Sequence, residues 1–176
     1  MSIYSFIFVR ISPYEFTGNY SENITREQFC ILLANLICVK ENYSSLDKYM
    51  QDQNKPYLKN YFVDCNDADD SVNILYALGI VNGKDESHFD PDGTITREEA
   101  ATLLCKVAEM YMWIGTETSL TYSDTDLISP WAKFFVTWAN EYGIMTGITE
   151  EEFNPQGQYT VEQAVATIVR LYNLLS

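Results

Sequence analysis

Positive charge is scarce in this chain: 11 lysines and arginines stand against 25 aspartates and glutamates in 176 residues, for a formal net charge of −14. General nucleic-acid binding needs a basic surface that displaces counterions from phosphates, so that class is excluded. Histidine is scarcer still. The single His88 lies in a turn between Ser87 and Phe89, with no nucleophile or metal cluster placed beside it, so the chain offers no catalytic constellation and is read as a non-enzyme without a cofactor. Carboxylates abound, but chance pairs are expected in an acidic chain. Glu98 and Glu99 are explained by a helix dipole and a helix cap rather than by acid/base chemistry. The cysteines, Cys30, Cys38, Cys65 and Cys105, form no metal-ligand spacing. Cys30 and Cys38 would lie about 12 Å apart along one helix, too far for a disulfide, so burial as small hydrophobes is the expected role. No stretch is long and apolar enough to span a membrane. Met1–Ile11 is apolar but lacks a basic start and a small-residue cleavage site. It is a poor signal peptide and reads as a short strand or buried terminal arm.

What the chain has in quantity is apolar and aromatic surface: 47% apolar residues, with 13 Tyr, 9 Phe and 3 Trp, which indicates a packed protein. Its organising stretch is Phe89–Ala101. A turn at Pro91-Asp92-Gly93 leads into Thr96, which can cap a helix, and Glu99 can reach back to it, completing a capping box. Arg97 would occupy the first helical position, where the helix dipole disfavours a cation. Held there beside free N–H groups, it is a candidate anion site. The alternative is an exposed arginine paired with Glu98 or with acidic residues of a neighbouring repeat. Ile24-Thr25-Arg26-Glu27-Gln28 repeats the motif, and Tyr159-Thr160-Val161-Glu162-Gln163 repeats it without the arginine.

Apolar spacing predicts a helix from Thr25 to about Val39, through Phe29, Leu32, Leu33, Leu36 and Ile37. Residues 40–60 read as a connection with extra helix near Leu46–Met50. A short helix is predicted over Asp69–Leu78, stopped by Gly79, and a longer one over Arg97–Tyr111 with Ala100, Leu103, Leu104 and Val107 as its stripe. Ser129-Pro130 reads as a serine cap followed by proline at the first helical position, with the helix ending at Gly143. The last helix is predicted over Val161–Asn173. Asp90-Pro91-Asp92-Gly93 echoes a calcium loop, but its glycine is out of register and Pro91 interrupts it, so no metal site is assigned.

The order repeats. Tyr122-Ser123-Asp124 matches Phe62-Val63-Asp64, Ile144-Met145-Thr146-Gly147 matches Ile80-Val81-Asn82-Gly83, and Phe153-Asn154-Pro155 matches Phe89-Asp90-Pro91. Such spacing marks an internal repeat of two helices and a turn, whose copies must pack together to bury their apolar faces. The expected division is a truncated first repeat at 1–40, a connection at 41–60, a second repeat at 61–115 and a third at 116–176, in one compact domain.

These residues resemble the S-layer homology family, whose repeat runs from an aromatic-x-Asp start through Trp-Ala, Gly-Ile-x-x-Gly and Phe-x-Pro to Ile-Thr-Arg-Glu. Tyr122 to Asp124, Trp131-Ala132, Gly143-Ile144 to Gly147 and Phe153 to Pro155 carry the pattern in the third repeat. Gly79-Ile80 to Gly83, Phe89 to Pro91 and Ile95–Glu98 carry it in the second. The resemblance implies a mainly α fold, with three pseudo-repeated helix-turn-helix units around a central three-helix bundle of pseudo-threefold symmetry. It implies anchoring, outside the cell, to a secondary cell-wall polysaccharide bearing an acidic sugar such as a pyruvylated one, in grooves between repeats, at times as part of a longer surface protein. Carried over by position, the sugar contacts are Arg26, Arg97, Asp64, Asp124, Ser129 and Trp131. Read from the residues, Asp64 and Asp124 are turn or cap residues first, and Trp131 is equally a core anchor. Val161 replaces the third arginine, Asp67 stands where the second repeat should carry tryptophan, with Ala68 keeping the alanine, and Glu15–Tyr20 resembles the degenerate end of the first repeat's missing helix. The best groove is expected between Arg97 and the Asp124–Trp131 segment. The rival reading is an assembly scaffold that keeps the fold with degraded sugar sites.

Overall fold

The computed structural model describes residues 20–65, 70–115 and 119–176. The expected terminal arm, all but the last residue of the Glu15–Tyr20 segment, and the Asp67-Ala68 position lie outside the described residues. The described chain is mainly helical: α1 Arg26–Glu41, α2 Leu46–Asp52, α3 Ser71–Ala77, α4 Arg97–Ala108, α5 Lys133–Glu141 and α6 Val161–Leu175, with a single 3-10 turn at Thr125–Leu127. Among the described residues there are no strands, only the isolated bridges Asn23–Thr160 and Thr96–Gln158. No described helix is long and apolar enough to cross a membrane.

The chain forms two compact units, one containing Ile24–Gly93 and the other Ser21–Asn23 with Thr94–Ser176. The division falls inside the expected 61–115 repeat. Each unit therefore pairs the capped helix of one repeat with the first helix of the next: α1 packs on α2 and α3 in the first, and α4 packs on α5 and α6 in the second. The predicted stripe of α1 is buried through Phe29, Leu32, Leu33, Leu36 and Ile37, and that of α4 through Ala100, Leu104 and Val107, whereas Leu103 is only half-buried. All four cysteines are buried thiols outside any disulfide.

All three capping boxes form. Thr25, Thr96 and Thr160 accept at Oγ1 from the backbone N–H groups of Gln28, Glu99 and Gln163, whose side-chain oxygens accept in turn from the cap backbone N–H groups. Ile24, Ile95 and Tyr159, one residue before each cap, are almost fully buried and fix the entry of the chain. Gly79 (φ +76°) and Gly143 (φ +66°) end α3 and α5 in the left-handed region, as their sequence position predicts.

Ser129 does not cap a helix. Its backbone N and its hydroxyl both donate to the Glu98 carboxylate, at 2.9 and 2.7 Å. With that side chain taken, residues 130–132 form a turn and α5 starts at Lys133 with no side-chain cap.

Candidate functional site

The helix starts expected to offer free N–H groups have none to spare. In the second unit Arg97 N donates to Gly157 O at 3.0 Å and Glu98 N to Pro155 O at 3.0 Å, while the third N–H goes to Thr96. In the first unit Arg26 N donates to Gly93 O at 2.8 Å and Glu27 N to Pro91 O at 3.1 Å. The Phe-x-Pro turns thus plug these two helix starts with carbonyls, leaving no backbone N–H group of the first turn for an anion.

Those turns are built to do so. Asp90 (φ +65°) and Asn154 (φ +59°) precede the prolines in the left-handed region, which short polar side chains tolerate. A Cβ at Gly93 or Gly157 would overlap the side chain of Asp90 or Asn154. The remaining N–H groups of each turn are caught by the repeated aspartate. Asp64 accepts from Phe89 N at 2.9 Å and Asp90 N at 2.8 Å, and Asp124 accepts from Phe153 N at 2.9 Å and Asn154 N at 2.6 Å. Both aspartates are turn residues, as the residue-level reading expects.

Desolvation works to raise the pKa of Asp64, but the backbone donors from Phe89 and Asp90 outweigh it and hold the carboxyl below its ordinary value of 3.8. A folded pKa below the unfolded one contributes stability above the unfolded value, and that stability is lost as pH falls through the folded value. Asp64→Asn is therefore expected to cost about 1–2 kcal/mol at neutral pH. The deficit relative to the parent should shrink below pH 4, as measured by urea unfolding across the acid range.

The arginines stitch the Gly-Ile-x-x-Gly loop to the Phe-x-Pro turn. Arg26 donates from Nε to Phe89 O at 3.0 Å and from Nη2 to Asn82 O at 3.1 Å, with its guanidinium 4.5 Å over the Phe89 ring. Arg97 donates from Nε to Phe153 O at 2.8 Å and from Nη2 to Thr146 O at 2.6 Å, 4.8 Å over the Phe153 ring. Arg97 is only 4% exposed, and burial lowers its pKa while Tyr159, Tyr122 and Asp124 act to raise it. It does not pair with Glu98, whose carboxylate is taken up by Ser129.

A residue the sequence reading missed holds the same loop. Tyr122 accepts at its hydroxyl oxygen from Gly147 N at 2.8 Å and from Asn140 Nδ2 at 2.8 Å. Phe62, its counterpart in the first unit, has no hydroxyl to offer. That difference was visible in the sequence, although its meaning depends on a partner 25 residues away.

Arg26 and Asp64 thus meet at Phe89, and Arg97 and Asp124 meet at Phe153. In the second unit Arg97 also lines a pocket of about 260 Å³ with Thr146, Gly147, Tyr159, Gln163 and Arg170. Ser129 and Trp131 do not line it. Trp131 is 53% exposed, with Leu127 and Phe134 also exposed. The tryptophan is accordingly no core anchor, and its ring is available for stacking on a flat apolar face.

The S-layer homology domain matches residues 66–101 and 121–164. The chain is 36% identical over 101 residues to the surface layer protein of Brevibacillus choshinensis, covering 57% of this chain and 9% of that protein. It is 29% identical over 157 residues to an amylopullulanase of Thermoanaerobacterium thermosulfurigenes (86% of this chain, 8% of that protein). It is 27% identical over 154 residues to the cellulosome-anchoring protein of Acetivibrio thermocellus (84% and 32%). The chain spans less than a third of each of these relatives. Arg97, Asp124, Ser129 and Trp131 therefore lie in segments that match the S-layer homology domain, whereas Arg26 and Asp64 lie outside both.

Proposed function

We propose that the chain is a non-catalytic module that anchors its bearer to the bacterial cell wall by binding an acidic secondary polysaccharide. The observation that carries the reading is the Arg97 pocket, whose arginine lies in matched sequence and whose lining has no carboxylate, in a chain of net charge −14. Surface charges beyond about 8 Å are screened at physiological salt, so the chain's overall acidity does not prevent local capture of an anion. A guanidinium already fixed by two carbonyls is preorganised for it. Trp131, exposed on the segment next to Ser129, supplies a stacking face for sugar. A surface layer protein and a cellulosome-anchoring protein among the relatives agree with attachment at the cell surface. The threefold arrangement of capped helices and the pyruvylated form of the sugar, both implied by the family resemblance, belong to this reading.

A second reading is an assembly scaffold with the same fold. It is favoured by the internal bonding of Arg26, Asp64 and Asp124, which the fold alone explains. Sedimentation with purified Gram-positive-type walls separates the two. Trp131→Ala removes an exposed ring, so its melting temperature should stay within about 2 °C of the parent. Under the wall-binding reading it sediments markedly less; undiminished sedimentation would favour the scaffold.

A further inference from the structure

Asn82-Gly83 is the one Asn-Gly pair among the 176 residues, and the fold leaves it open to reaction. Asn82 is exposed, and among the described residues neither its side-chain amide nor the N–H of Gly83 has a hydrogen-bond partner. The copy of this loop in the second unit differs at that point. There Gly147 N donates to the Tyr122 hydroxyl at 2.8 Å. Phe62 holds its ring in the same place: a ring carbon stands 2.5 Å from where a Cβ of Gly83 would be, as one of Tyr122 does for Gly147. Phe62 has no hydroxyl, so the Gly83 N–H meets no such acceptor. The glycine itself is required, since that Cβ would also lie 2.5 Å from Asp85 O and 2.7 Å from His88 O.

Two more features favour chemistry at this peptide. Arg26 donates from Nη2 to Asn82 O at 3.1 Å, and a guanidinium on that carbonyl draws charge from the Asn82–Gly83 peptide, making the Gly83 N–H more acidic. With no Cβ beside it, the glycine nitrogen is also unhindered. It can attack Asn82 Cγ: the N–Cγ bond forms, the Cγ–Nδ2 bond breaks, and ammonia leaves with the hydrogen that Gly83 gave up. Water then opens the cyclic imide at either carbonyl, and nothing is oxidised or reduced. Opening at the side-chain carbonyl gives aspartate. Opening at the main-chain carbonyl gives isoaspartate, which lengthens the main chain by a carbon where Arg26 grips it. The Asp-Gly pair, Asp92-Gly93, could close the same ring, but its nitrogen already donates to Asp90 O at 3.2 Å.

We propose that Asn82-Gly83, because no acceptor holds its nitrogen, is a site of spontaneous deamidation in the folded chain, with water as co-reactant and aspartate and isoaspartate at position 82 as products. The proposal is independent of the wall-binding reading. Its test places a second Asn-Gly pair in the same molecule. Thr146 is exposed and its carbonyl is gripped by Arg97, so Thr146→Asn copies the first loop except for the tyrosine hydroxyl on Gly147 N. The folded full chain carrying Thr146→Asn is incubated at neutral pH, and peptide mapping by mass spectrometry follows loss of the amide and appearance of isoaspartate at positions 82 and 146. The hydrogen bond on Gly147 N must break before the ring can close there, so position 82 should convert about two- to tenfold faster than position 146. Removing the hydroxyl with Tyr122→Phe should bring position 146 up to the rate of position 82. Equal rates at the two positions with Tyr122 in place overturn the proposal. So does an amide at position 82 that persists in the folded parent while the same chain converts in urea.

Discussion

Arg97→Ala is expected to destabilise the second unit by about 3 kcal/mol or more, whatever it does to ligand binding. The substitution removes two charge-assisted hydrogen bonds, each worth about 1.5–3 kcal/mol, and leaves the Phe153 and Thr146 carbonyls unpaired. It also removes the cation from above the Phe153 ring. Denaturant unfolding of parent and variant measures the loss directly, and Arg97→Lys should recover only part of it, since an ammonium cannot reproduce a fixed fork onto two carbonyls. A loss under 1 kcal/mol would mean that the stitch between the Gly-Ile-x-x-Gly loop and the Phe-x-Pro turn is not what holds them. Loss of wall binding by Arg97→Ala is consequently a weak test of function, and the exposed Trp131 and Arg170 are cleaner probes.

Glu98→Ala is expected to be as damaging. Glu98 is 2% exposed, and its carboxylate receives both the backbone N–H and the hydroxyl of Ser129. Truncation strips the two Ser129 donors of a charged partner and leaves a small cavity in place of a buried side chain. The expected cost is about 3 kcal/mol. Because Ser129 starts the turn that carries Trp131, hydrogen exchange over residues 129–133 should also rise well above that of the parent. Ser129→Ala should cost less, about 1 kcal/mol, since the backbone donor to Glu98 remains. Equal protection in Glu98→Ala and the parent would show that α5 holds this turn without the carboxylate.

Much of the local architecture was legible in the residues. Thr-x-x-Glu/Gln gave three caps at the positions where they form, Gly79 and Gly143 stop their helices, and the Phe-x-Pro turns fall where their prolines place them. All of these are decided within a few residues, by cap chemistry and backbone sterics. What was not legible depends on partners far along the chain. Arg97 looked like an exposed anion trap because its position on the helix says nothing of carbonyls 49 and 56 residues away. Ser129-Pro130 carries a helix-start signature, yet Glu98, 31 residues earlier, claims the serine. The free N–H groups expected beside Arg26 and Arg97 were lost to the same long-range docking. Of the candidate site, the sequence therefore named the residues of the loop junctions, reading Asp64 and Asp124 as turn residues first and Arg26 and Arg97 as ligand contacts. Arg170, the second cation of the pocket, gave no repeat signal because only one of the three helices carries it.

The central claim, that the chain anchors to the wall through its secondary polysaccharide, is tested most directly by co-sedimentation with purified Gram-positive-type walls before and after chemical removal of that polymer. The account predicts that the chain sediments with intact walls and stays in the supernatant with stripped ones. Equal sedimentation with both, or none with either, would contradict it.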